Sequence, residues 1–203
     1  KTYYIRIMKQ TIFLEPDKVY HIYNRANGSE LMFRDDDDYL RFLQRFGILL
    51  GGYLDTLAYC LLPNHFHLMV RIVSTLEVDE EREEVNLHQL FSNLFNGYTK
   101  YFNLKYERKG SLFMPNFKRK EVYDSHYFAK LIAYIHTNPV KHGLVDDLNE
   151  WTFSSYHAYT TLKSSRVNTK DMIDFFGSKE ELIRFHQNYN ELLHDMKGLD
   201  MEG

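Results

Sequence analysis

Two histidines flanking one apolar residue, His65-Phe66-His67, are the sharpest chemical feature of this 203-residue chain. On an extended strand residues i and i+2 project from the same face, so two imidazoles there can bind one cation while Phe66 turns into a core. The pattern is weak by itself, because paired histidines also arise in ordinary cores and a cation needs a third ligand. A second run, Tyr134-Ile135-His136-Thr137-Asn138-Pro139-Val140, offers one. On a helix Tyr134 and Asn138 are four residues apart and share a face, so a phenol hydroxyl and an amide oxygen can address one cation held over a sheet. The bland alternative is that Tyr134 is one of 16 tyrosines filling core and surface. Asn138 would then be a C-terminal cap, with Pro139 ending the helix just beyond it. His136 is another ligand candidate, although two residues from Tyr134 it faces well away from it. Tyr98, Tyr101 and Tyr106 are rival nucleophiles without an adjacent ligand pattern. Cys60, the only cysteine, could join His65 and His67 in a zinc site given a favourable hairpin register, and it excludes an intrachain disulfide.

Charge is distributed unevenly. A formal net charge of −3 argues against a protein that coats nucleic acid nonspecifically. Between Tyr98 and His142, however, nine bases face only Glu107, Glu121 and Asp124, whereas after Asp146 acids outnumber bases. The basic centre suits an anionic ligand. Lys118, Arg119 and Lys120 are consecutive candidates for holding backbone phosphates, unless they simply guard an edge strand. Tyr101 and Phe113 are candidate surfaces for stacking bases.

The elements that must position these groups follow from periodicity. Residues 19–24 are β-branched and aromatic and read as a strand; Asp35 to Asp38 cap a helix whose apolar residues recur at helical spacing until Gly51-Gly52. Residues 53–62 and 65–73 read as strands joined at Pro63-Asn64, and the acidic stretch 74–84 as an exposed, mobile connection. A second helix over 86–104, a fourth strand over 116–123 and a helix over 126–136 complete the order β-α-β-β-α-β-α. That order predicts an α+β, ferredoxin-like split β-α-β fold: a four-stranded antiparallel sheet with helices on one face. Short helices at 170–176 and 179–190, separated by Gly177-Ser178, form a C-terminal helical extension. One main domain over 1–160 with the extension 161–203 packed on it is expected. No run approaches the roughly 18 apolar residues of a membrane span, and residues 1–14 lack a signal-peptide core, so a cytoplasmic protein without a membrane partner is expected. No P-loop pattern calls for a nucleotide cofactor.

Four blocks occur together in a telling order: LLPNHFHLMV at 61–70, Gly110-Ser111-Leu112-Phe113, YIHTNPVKHGLV at 134–145, and WTFSSY at 151–156. Over residues 19–159 the chain resembles the IS200-like, single-tyrosine (HUH, Y1) transposases, and within them the REP-associated tyrosine transposases. The resemblance implies an HUH nuclease-like transposase domain that cuts and rejoins single-stranded or hairpin DNA through a 5′-phosphotyrosine. His65 and His67 match the metal pair, Tyr134 the nucleophile, and Asn138 the position where relatives supply Gln, His or Asn as third ligand. The implied cofactor is Mg²⁺ or Mn²⁺, with a monomer favoured over a dimer. The alternatives are a domesticated hairpin-DNA-binding protein that no longer cleaves, and a phosphohydrolase using metal-bound water.

Overall fold

A computed structural model of the chain describes residues 13–73, 85–161 and 165–195. The acidic connection expected at 74–84 lies outside these described residues. Strand β1 (Val19–Arg25) leads to helix α1 (Asp36–Leu50), whose N-cap Asp35 accepts a hydrogen bond from the backbone of Asp38. Three further aspartates in the first turn complement the positive end of the helix dipole. Strands β2 (Leu54–Leu62) and β3 (His65–Ile72) form the hairpin across Pro63-Asn64, followed by α2 (Leu87–Lys105), β4 (Lys118–Glu121) and α3 (Ser125–Lys141). The sheet order is β2-β3-β1-β4 with every pair antiparallel. β3 is therefore inserted between β1 and β2, as the split β-α-β arrangement requires.

The expected cover on one face describes α1 and α2 only. Tyr20, Ile22, Phe66, Leu68 and Val70 project to those helices and share a core with Phe42, Leu94 and Tyr98. The opposite pleat of β2 and β3 is apolar as well: Ala58, Cys60, Leu62 and Met69 are buried in a second core with Leu131, Ile132, Tyr134 and Ile135 of α3. A sheet whose strands are apolar on both pleats must be covered on both faces. The tail helices α4 (Tyr156–Thr161), α5 (Thr169–Phe176) and α6 (Lys179–Asp195) complete this second layer, with α6 against α3.

Two local features fix α3. Pro139 does not end the helix, which runs on to Lys141. Proline's fixed φ suits a helix and costs one backbone donor. The following turn closes through His142 N–H to the Asn138 carbonyl at 2.9 Å and Leu144 N–H to the Pro139 carbonyl at 2.9 Å. At the far edge, β2 is paired by returning chain: Leu61 N–H donates to Phe153 and Ser155 N–H to Tyr59. The Trp151 indole also donates to the Leu61 carbonyl at 2.9 Å. The edge is thereby closed to other strands, and the second layer is tied to the sheet beneath α3.

Candidate active site

His65 and His67 project from the same pleat of β3, their ring centroids 5.2 Å apart, on the face that carries α3. Nδ1 of His65 lies 2.7 Å from the side-chain oxygen of Asn64, so it holds the proton and leaves Nε2 as the lone pair; that atom is buried and makes no hydrogen bond. Nδ1 of His67 lies 3.0 Å from Nε2 of His21, a buried residue of β1. Burial, reinforced by His142, Arg25 and Lys141, lowers the pKa of His65 to about 4. Burial and then Lys120 lower His21 to about 3, and burial holds His67 well below the ordinary histidine range. Near neutral pH the cluster is uncharged, which is the form of imidazole that binds metal.

Helix α3 brings the second half of the site. The ring of Tyr134 stands edge-on to His67, with centroids 5.4 Å apart, and the Lys141 ammonium lies 5.3 Å from the Tyr134 centroid. Asn138, one turn on, donates its side-chain amide to the Tyr134 carbonyl at 2.8 Å, while its side-chain oxygen is buried and accepts nothing. Reversing that amide would set two acceptors against each other, so the orientation is dictated. Among the described residues no three His, Cys, Asp or Glu side chains come together as a cation site. The orphaned side-chain oxygen of Asn138 is a further atom with the chemistry of a cation donor. In front of the histidines opens a cleft of about 500 Å³, lined by Tyr23, Arg25, His65, His67, Lys118 and His142. Tyr134 is 1% exposed and lies behind this cleft, not on its wall.

With this geometry in view, comparison with known proteins is direct. No family model matches the chain. A Haemophilus influenzae protein provisionally named a REP-associated tyrosine transposase is 28% identical over 108 residues, which is 51% of this chain and 59% of that relative. The REP-associated tyrosine transposase of Escherichia coli is 28% identical over 126 residues, 62% of this chain and 68% of its own. The match thus spans less than two thirds of the Haemophilus protein's length. A solved structure of a REP-associated tyrosine transposase bound to a REP hairpin shares the fold, with a TM-score of 0.61 over 76% of this chain and 86% of that chain at 15% identity. The chain is similar in sequence to REP-associated tyrosine transposases over half or more of its length, and similar in fold to one of them.

The other candidates from the sequence part ways. His136 has both ring nitrogens engaged, one 2.8 Å from His186 and the other 2.7 Å from the Ser155 hydroxyl. Tyr98 donates to the Met32 carbonyl in the opposite core, and Tyr101 and Tyr106 bond Asp38 there. Cys60 does pair with His67 across the hairpin, but burial pushes its thiol up, away from the thiolate that zinc requires. Phe113 is packed into the α1–α2 core and offers no surface for a base. Strand alternation splits the basic trio: Lys118 and Lys120 pair with Tyr23 and His21 on the site face, whereas Arg119 pairs with Ile22 and packs over Phe117 on the other. His21, His142 and Arg25 were not singled out in the sequence. A signal for His21 exists, since His21 and Tyr23 repeat on β1 the period-two spacing of His65 and His67.

Proposed function

We propose that this chain is a metal-dependent, single-stranded DNA transposase that cleaves and rejoins strands at hairpin-type elements through a 5′-phosphotyrosine on Tyr134. The observation that carries this reading is the meeting of Tyr134 with His67 at 5.4 Å, with the unpartnered oxygen of Asn138 one turn along the same helix. Its nearest competitor in kind, a structural tyrosine, accounts for neither the orphaned oxygen nor the neutral histidines.

A phenol loses its proton near pH 10, so it needs help to attack at neutral pH. The hydroxyl oxygen of Tyr134 attacks the scissile phosphorus as its proton leaves to water; a P–O bond to tyrosine forms, the bond to the 3′-oxygen breaks, and that oxygen takes up a proton from water, so that no net proton is gained or lost. The reverse reaction reseals the strand, and attack by a different 3′-hydroxyl joins two strands. One phosphodiester replaces another, so no nucleotide is consumed. His65, His67 and Asn138 would hold Mg²⁺ or Mn²⁺, imidazole suiting manganese and cellular abundance favouring magnesium. When bound, the ion would draw charge from the phosphate and stabilise the departing oxygen. Arg25 and Lys118 on the cleft wall hold backbone phosphates, with Lys120 extending the basic surface on that face, while Arg119 packs over Phe117 on the other face, away from the DNA. Lys141, 5.3 Å from the Tyr134 ring centroid, supplies a positive charge beside the phenol for an arriving phosphate. Ligand pair and nucleophile sit on one chain, which suits a monomer.

The test is incubation of the purified protein and its Tyr134→Phe variant with labelled DNA hairpins and Mn²⁺, read on a denaturing gel. A metal-dependent covalent species should form and be absent from the variant, while hairpin binding is kept. Cleavage surviving in Tyr134→Phe points to a hydrolase using metal-bound water, and binding without cleavage across a broad hairpin panel to a DNA-binding protein.

A further inference from the structure

Behind the nucleophile helix runs a hydrogen-bond relay in which every proton can be placed. A carbonyl only accepts, so His186 Nδ1, 2.7 Å from the Leu182 carbonyl, carries that ring's proton. Both rings are buried and have no carboxylate among their hydrogen-bond partners, so each carries a single N–H. His186 Nε2 is then a lone pair, and His136 Nδ1, 2.8 Å away, must donate to it. That leaves His136 Nε2 as an acceptor, and the Ser155 hydroxyl, which has a single hydrogen, donates to it at 2.7 Å in preference to the more distant Tyr59 carbonyl at 3.2 Å. The same hydroxyl oxygen accepts the Tyr59 N–H of β2 at 2.8 Å. His136, Ser155 and His186 are at most 1% exposed, so water cannot replace a missing partner. Protons thus run one way, from β2 through Ser155 and α3 into α6.

His136 lies two residues from both Tyr134 and Asn138, about 200° around the helix, so the relay grips α3 on the side opposite the site. Rotation or sliding of α3 breaks at least one of its bonds. We propose that His186 of the C-terminal helix is a positioning residue that, through His136, sets the rotation and height of α3 and so the placement of Tyr134 and Asn138 over His65 and His67. This rests on Tyr134 being the nucleophile. It gives the tail a task in the reaction: α6 is the outer anchor of the nucleophile helix.

The first measurement is of the full-length protein at pH 7, by multiple-bond ¹H–¹⁵N NMR of its histidine rings. His136 should be the Nδ1–H tautomer; an Nε2–H ring or an imidazolium there overturns the relay. The second uses His186→Leu, which fills the space without an acceptor, and His186→Gln, whose side-chain oxygen can accept from His136. His186→Leu should lower the single-turnover rate of adduct formation about 10- to 100-fold, the order expected for misplacement of about 1 Å. Its hairpin affinity should stay unchanged, and His186→Gln should restore most of the rate. A His186→Leu rate equal to that of the native protein, or a folded His186→Gln as slow as His186→Leu, overturns the proposal. If His186→Leu does not fold, the tautomer decides. Absence of adduct in the native protein itself would instead count against the reading of Tyr134, leaving the relay to the NMR result.

Discussion

Asn138 donates its side-chain amide to the Tyr134 carbonyl 2.8 Å away, and its oxygen is left buried with no hydrogen-bond partner. An unsatisfied buried carbonyl costs a fold about 1–3 kcal/mol, so the arrangement is poor for stability and suited to receiving a cation. Asn138→Leu should therefore unfold at the same or a slightly higher urea concentration in the presence of EDTA, while metal-dependent adduct formation falls at least about 100-fold. A variant that is destabilised yet fully active would make Asn138 a packing residue.

His21 prepares His67 from behind. His21 Nε2 lies 3.0 Å from His67 Nδ1, and by accepting from it would leave the second nitrogen of His67 as a lone pair. Groups that hold a metal-binding histidine in this way are worth about 10- to 100-fold in metal affinity. His21→Phe should weaken Mn²⁺ binding by that order, measured by titration with electron paramagnetic resonance; unchanged affinity would detach His21 from the site.

The two sides of β4 should behave differently. Lys118 lines the cleft, and Arg119 packs against Phe117 on the opposite face. Lys118→Ala should weaken hairpin binding and reduce the slope of log affinity against log salt by about one, the signature of one lost phosphate contact. Arg119→Ala should leave the slope nearly unchanged, and equal effects would mean that DNA wraps both faces.

Acid should loosen the grip on α3. Burial lowers His186 to about 4 in the folded protein, against about 6.5 when unfolded. Its contribution is complete above pH 6.5 and is lost as pH falls from there to about 4, because the unfolded chain binds the proton first. The full loss is about 3 kcal/mol for a fully buried ring. Urea unfolding followed between pH 7 and 4.5 should show stability falling with acidity, and His186→Leu should flatten that slope; parallel slopes would contradict the assignment.

What could be read from the sequence was whatever depends on local periodicity. The shared face of His65 and His67 follows from a two-residue repeat, and that of Tyr134 and Asn138 from a helical turn. The sheet order followed from the sequence of elements. Features that depend on register between distant strands were hidden: His21 meets His67 only because β1 pairs with β3, 46 residues away in the chain. The cover on the second face was hinted at by apolar residues such as Cys60, Leu62 and Met69 on the site pleat, but it becomes plain only once β2 is the edge strand beside central β3 in one sheet. Pro139 misled because a helix can absorb one missing donor near its end. His136 looked like a ligand candidate because its partner, His186, lies 50 residues on.

The most direct test of the central claim is peptide mass mapping of the covalent product formed with a hairpin DNA and Mn²⁺. The account predicts a 5′-phosphate-linked oligonucleotide on the peptide carrying Tyr134 and a free 3′-hydroxyl on the released strand. An adduct on Tyr98, Tyr101 or Tyr106, or cleavage that leaves no tyrosine modified, would contradict it.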